Sequence, residues 1–301
     1  MVENQSFCPL YKSYDAGESP AALNVFIALI NGVFSILALI SNLLVIFVIC
    51  KRPALRTSWH VLLASQASSN VAVSLLAQPS LIALQIEDML GDTDGYCTAQ
   101  MINIAASVIF ILTTFWSVLG MAVNQFLSLQ FPTWYNAAIT FKRVTILVLL
   151  AWLVAMLAFA LRFALGFTRR LFFVAILIAA FLMLLTLFFS IKNYHKIRGY
   201  LMQVQQQLEA PTSVPPVVTP NVSRHQKTAA TVFSILATCF VTHIPLFTTF
   251  VIAYLLDWSE ARNNAFIITL TVAYSCSCLC SVIYFRQNGE IRQEVLHLLS
   301  Y

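Results

Sequence analysis

Seven stretches without a single Asp, Glu, Lys or Arg divide the chain: Ser19 to Cys50, Thr57 to Ile86, Gly95 to Phe141, Val144 to Leu161, Leu171 to Ile191, Thr228 to Leu256 and Asn263 to Phe285. A helix needs about 20 apolar residues to cross about 30 Å of hydrocarbon, and each stretch is about 18 residues or longer. The bilayer core offers no partner to backbone N–H or C=O groups, so segments of this kind must be helical. None alternates apolar and polar residues with a period of two, which argues against an outer-membrane barrel. The third stretch exceeds one crossing, but Phe131-Pro132-Thr133-Trp134-Tyr135-Asn136 has the composition of an interfacial turn and ends the helix near Gln130. The expected fold is all-α, a seven-transmembrane helix bundle over residues 23–286. Its spans fall at about 23–50, 57–85, 97–130, 140–162, 170–197, 224–256 and 262–286.

Composition excludes other classes. The chain is 59% hydrophobic and 10% charged, against about 45–50% and about 25% in soluble domains, so a water-soluble enzyme is ruled out. The net charge of +5 comes from dispersed residues, which gives no nucleic-acid partner. No two of the seven Cys stand at C-x-x-C spacing, and neither a metal site nor a cofactor is expected. Paired carboxylates or a His cluster for an intramembrane enzyme are also missing, and a transporter or channel would want a polar pathway.

Loop charge sets the expected orientation. With the amino terminus outside, the inner side carries twelve basic residues, among them Lys51, Arg52, Arg56, Lys142, Arg143, Lys192, Lys196, Arg198 and Lys227, and the outer side five. Arg162, Arg169 and Arg170 in the second outer loop go against the rule. Residues 1–22 then form an extracellular tail, and helix one serves as an uncleaved signal anchor. Asn4-Gln5-Ser6 is an outer glycosylation sequon, whereas Asn221-Val222-Ser223 lies inside. Gln203 to Gln226, rich in Pro, reads as a mobile inner linker. Residues 287–301 place Ile291, Val295, Leu298 and Leu299 on one side of a short amphipathic C-terminal helix at the cytoplasmic membrane surface.

Specific residues carry a family resemblance from residue 24 to the end. Ser41-Asn42-Leu43-Leu44-Val45 resembles the helix-one Asn motif of rhodopsin-like G-protein-coupled receptors, and Lys51 to Thr57 their first inner loop. Pro79, Trp152 and Pro245 match the helix-two Pro, helix-four Trp and helix-six Pro. Leu127 to Tyr135 is similar to the segment after the Asp-Arg-Tyr motif, and Val282-Ile283-Tyr284-Phe285-Arg286 to the end of the helix-seven motif. The very short second outer loop and the lack of Pro in helix five are more like the melanocortin, cannabinoid and lysophospholipid receptors.

The departures from the family gather in its switch. Asn70 stands for the helix-two Asp, Asn124-Gln125-Phe126 for Asp-Arg-Tyr, Thr242-His243-Ile244-Pro245 for Cys-Trp-x-Pro, and Cys280-Ser281-Val282-Ile283-Tyr284 for Asn-Pro-x-x-Tyr. A hard cation needs charged oxygen ligands, so no sodium site is expected at Asn70. Gln125 has no charge to pair with an acid, and the helix-six position that often holds that acid is His225. The resemblance places the ligand site along Asn103, Ser107, Val108 and Ile111 of helix three, Leu246, Phe247 and Phe250 of helix six, and Leu270 and Tyr274 of helix seven. These are mostly apolar, which suits a hydrophobic ligand; each taken singly also reads as an ordinary packing residue. His243 reads either as a switch residue or as a histidine satisfied inside the bundle by Asn70 or Thr242. The family's usual outer disulfide has no partner in the second outer loop here. A Cys8–Cys97 bridge and two free thiols are the alternatives, and the other five Cys read as small core residues.

The resemblance implies a plasma-membrane receptor with an external ligand, a heterotrimeric G protein as inner partner and lipid around it. The rival expectation is a receptor-derived scaffold, decoy or dimer partner that no longer signals.

Overall fold

The computed structural model describes residues 20–165, 169–209, 220–256 and 259–299. Its main helices are α1 (Ala21–Lys51), α2 (Ser58–Leu90), α3 (Thr93–Gln130), α4 (Phe141–Leu165), α5 (Arg169–Glu209), α6 (Pro220–Leu255), α7 (Glu260–Gln287) and α8 (Gly289–Leu299). No strand occurs among the described residues. Six of the helices, α1, α2, α3, α5, α6 and α7, are long and apolar enough to cross a bilayer on their own. The seventh span is α4, read together with the short helix Pro132–Ala138 that meets it at 72°. The chain is an all-α, multi-pass seven-helix membrane bundle.

Lipid as solvent explains which face of each helix is buried. In α1 the buried positions include Asn24, Asn31 and Asn42, whereas Leu29, Val33, Ile36, Leu37 and Ile40 are exposed. Apolar side chains lose nothing by facing hydrocarbon, while an amide needs a partner that only the bundle supplies. Asn31 Nδ2 finds Thr271 Oγ1 of α7 at 2.9 Å, and Asn42 Nδ2 finds the Ser277 carbonyl at 3.1 Å. The polar residues of the spans therefore mark the interior. α3 runs through the middle, in contact with α2, α4, α5 and α6. Gly120 allows its close approach to α2, since a Cβ there would stand 2.9 Å from Leu62 Cδ2.

Local chemistry fixes the helix ends. Asp92 Oδ1 accepts from the Asp94 and Gly95 N–H groups, Thr57 Oγ1 from His60 N–H, and Ser259 Oγ from Arg262 N–H, each satisfying donors left over in a first turn. Gly91, at φ 71°, ends α2 in the left-handed conformation that favours glycine.

Four details differ from the sequence reading. First, α2 continues past Ile86 to Leu90, because Glu87 and Asp88 lie beyond the hydrocarbon, where charge does not stop a helix. Second, Pro132–Ala138 is a helical turn in its own right. Third, α5 extends to Glu209 and α6 starts at Pro220, so both ends of the expected linker are helical. The run Gln203 to Leu208 has no Gly or Pro, and Pro is well placed at a helix start. Fourth, Val73–Ala77 forms a π turn, with Gln78 N–H bonded to the Val73 carbonyl. In that register the Ser74 carbonyl would need the N–H of residue 79, which is Pro. Ser35 Oγ of α1 supplies the missing hydrogen at 2.7 Å.

α8 lays Ile291 and Val295 into the same apolar cluster as Val48 and Ile49 of α1. Arg52 Nε donates to Glu294 Oε2 at 2.6 Å; such half-exposed pairs contribute about 0–1 kcal/mol, so the apolar seat dominates. The side chains of Leu298 and Leu299 lie outside the described part of the chain.

Candidate functional site

A cavity of about 50 Å³ lies between α3, α5, α6 and α7. Asn103, Ser107, Val108, Ile111, Leu246, Phe247, Phe250 and Leu270, eight of the nine residues expected at a ligand site, all border it. Tyr274, the ninth, stands one turn beyond Leu270 and closes a polar cluster behind the cavity. Its hydroxyl is 2.5 Å from Ser107 Oγ and donates to Asn103 Oδ1 at 3.3 Å. Asn103 Nδ2 donates to the Ala77 carbonyl at 2.7 Å and to Ser80 Oγ at 3.2 Å, tying α3 to the stretch of α2 that follows the π turn. Asn103 and Ser107 are the two polar residues among those lining the cavity, and both are engaged in this cluster. What faces the empty space is hydrocarbon.

Sequence reasoning missed Ile104, Leu112, Ala175, Ile176, Ala179 and Phe266, which complete the lining. Three of them are on α5, which has no landmark residue to fix its rotation.

The residues expected to form a switch lie in separate small sites nearer the basic end of the bundle. Asn70 Nδ2 donates to Asn42 Oδ1 at 3.0 Å, linking α2 to α1. In α6, His243 is 3% exposed and sets its ring edge-on to Phe115 at 5.0 Å. Its Nδ1 is 3.1 Å from the Cys239 carbonyl and 2.9 Å from Thr242 Oγ1. A carbonyl can only accept, so Nδ1 carries the hydrogen. Thr242 is thus its partner, and Asn70 is engaged elsewhere. Pro245 sits inside α6 and has no N–H for the Val241 carbonyl, which weakens the helix just beyond His243. Cys239, Cys276 and Cys280 are free, buried thiols in a row, with successive Sγ separations of 3.7 Å joining α6 to α7. Tyr284 is fully buried, on the side of α7 that faces Asn70.

At the basic end, Gln125 is 2% exposed and its Nε2 donates to the His225 carbonyl of α6 at 2.8 Å. A neutral bond to backbone therefore joins α3 and α6 where the family's ion pair would stand. Asn124 Oδ1 accepts from the Tyr135 hydroxyl at 3.1 Å, which in turn lies 2.7 Å from Ser58 Oγ. Phe126 packs edge-on to Phe189 of α5 at 5.2 Å. Cys97 is disulfide-bonded; Cys8 and Asn4 lie outside the described residues.

The site around Asn70 leads to a prediction that needs no ligand. Its side chain is bonded to the Asn42 amide, and no Asp or Glu is buried among the described residues, so a hard cation finds no charged oxygen there. Melting temperatures of the purified protein should agree within about 1 °C in equal concentrations of sodium and potassium chloride. Stabilisation specific to sodium would mean that charged or carbonyl oxygens gather there after all.

The seven-helix bundle and its apolar cavity are in keeping with what the comparisons find. Residues 33–168 match the family model described as the serpentine type 7TM GPCR chemoreceptor Srx, and with the relatives below this supports a divergent rhodopsin-like G-protein-coupled receptor. The chain is 28% identical over 120 residues to adenosine receptor A3 of Bos taurus, covering 40% of this chain and 36% of that protein. It is 29% identical over 126 residues to adenosine receptor A2b of Rattus norvegicus, covering 41% and 36%. Against adenosine receptor A2a of Homo sapiens it is 25% identical over 140 residues, covering 46% and 30%. The matches thus span about a third of the relatives' length.

Proposed function

We propose that this protein is a plasma-membrane receptor that takes an apolar ligand from the extracellular side and passes a movement of α6 to a heterotrimeric G protein. The observation that carries the reading is the pairing of an apolar cavity at one end of α3 and α6 with the Gln125–His225 bond at the other. Ligands of ordinary size need about 300–1,000 Å³, so binding in a space of about 50 Å³ requires α5, α6 or α7 to move apart. The helix weakened at Pro245 is the element suited to move, and its far end is held by one neutral hydrogen bond. A ligand that binds the opened form more tightly shifts the population towards it. The adenosine of the relatives' names is a polar nucleoside, and this cavity has two polar side chains, both engaged; a lipid-like ligand fits better. The test is nucleotide exchange on a panel of G proteins in cells expressing the full chain, challenged with fractionated lipids. A response lost on Phe247→Trp, which fills the cavity, supports the reading; no response above untransfected cells at verified surface level overturns it.

The reading includes an external amino terminus, a glycan at Asn4 and a Cys8–Cys97 bridge that pins the tail to the start of α3. Glycosidase treatment should remove one glycan's worth of mass, and Asn4→Gln should abolish that shift. A shift that persists in Asn4→Gln and disappears in Asn221→Gln would reverse the topology.

A further inference from the structure

A second cavity, of about 720 Å³, opens between α5 and α6 at the basic end of the bundle and is lined by these two helices. Ser190 is buried in it, whereas Ile191 and Phe233 are exposed on the outward side, which in a membrane is the lipid side. Tyr194, His195, Arg198 and Gln226 complete its polar part. Two of these groups lack the partner their chemistry asks for. Serines in apolar helices return their hydroxyls to the carbonyl four residues back, as Ser68 and Ser74 do. Ser190, at 7% exposure, does not, and its Oγ has no hydrogen bond among the described residues. Arg198 pairs with no acid among the described residues. Lys192 and Lys196 on α5 and Lys227 on α6 add to the positive charge. The acids at this end whose side chains are described are Glu290 and Glu294 of α8, and Glu294 already holds Arg52.

Depth fits one kind of occupant. Ser190 is next to the last residue of the charge-free stretch Leu171 to Ile191, at the edge of the hydrocarbon. Arg198 is eight residues on, about 12 Å along the axis, and helical side chains lean back toward the N-terminus, which returns its charge toward the membrane. The groove is therefore apolar at acyl depth, offers a lone hydroxyl donor at the boundary and presents a guanidinium at headgroup depth. We propose that it binds one anionic glycerophospholipid, with the phosphate on Arg198 and His195, an ester or glycerol oxygen on Ser190, and an acyl chain along Ile191 and Phe233. The inference depends on the membrane bundle alone and not on the receptor reading.

The test is native mass spectrometry of the purified full chain released from nanodiscs containing phosphatidylserine and phosphatidylcholine with identical acyl chains. The wild type should retain one lipid, with about a fivefold preference for phosphatidylserine, the effect of one basic group near a charged headgroup. Arg198→Gln, at an exposed position that leaves folding alone, should reduce that preference to about onefold. Ala230→Trp, which fills the groove from α6, should remove the retained lipid of either kind. Lys142→Gln with Arg143→Gln, on α4, should change nothing. Equal retention of the two lipids by the wild type overturns the proposal. So does a preference that survives Arg198→Gln, a loss in the α4 variant as large as in Arg198→Gln, or a second copy of the chain occupying the groove in place of lipid.

Discussion

Tyr274→Ala is expected to lower the melting temperature of the purified protein by about 10 °C or more and to remove most of it from the cell surface, while Tyr274→Phe leaves both nearly intact. The ring is 2% exposed and sits in the apolar cluster with Ile27, Leu81, Phe110 and Leu270. Truncating a buried aromatic to Ala costs about 3–5 kcal/mol, and at about 2–4 °C per kcal/mol this is a large shift. The hydroxyl is a smaller matter. Hydrogen bonds between membrane helices average about 0.6 kcal/mol, and without Tyr274 the Asn103 amide still has Ala77 and Ser80. Thermal denaturation followed by size-exclusion chromatography separates the two effects. Equal damage from Phe and Ala would mean that the polar cluster, and not the ring, holds α7 to α3.

The second large effect concerns Gln125. Gln125→Leu keeps the volume and removes the bond to His225, so ligand-independent nucleotide exchange should rise about threefold, the equivalent of one average interhelical hydrogen bond. Gln125→Arg combined with Asn124→Asp should act more strongly. A cationic fork makes contacts about twice as strong as a neutral amide, and the new Asp can hold the new Arg while the protein rests. Ligand-driven exchange, read at matched surface level, should increase about tenfold, or about 1.4 kcal/mol. If no G protein responds to either variant, the losses at Cys280 and Ser281 dominate and the chain is a scaffold.

The sequence was most legible where lipid makes a mistake expensive. Charged residues are excluded from hydrocarbon, so they punctuate the spans; Asn103 could be taken as needing a partner inside the bundle, Asn42 and Asn70 were placed by the resemblance, and Asn31 was not foreseen. The cavity residues of α3, α6 and α7 could be placed through the resemblance, with Pro245 as a fixed point on α6. α5 has no such fixed point, and Ala175, Ile176 and Ala179 were invisible for that reason. Nor could the acceptor for Gln125 be foreseen, since it is a backbone carbonyl and any residue at position 225 supplies one. The free Ser74 carbonyl was hidden likewise: Pro79 was evident, but the switch of register before it depends on Ser35 of another helix.

That π turn amounts to one extra residue in α2, and it rotates everything after it by about 100° relative to an uninterrupted helix. Ser80 meets Asn103, and Leu84 meets Tyr96 and Ala99, only with this extra residue in place. Aligning this chain with relatives whose second helix is regular therefore requires a one-residue gap within Val73–Ala77, after which every position number shifts by one. Deleting Ser74 should restore a regular helix and turn Asn103 away from its two α2 partners.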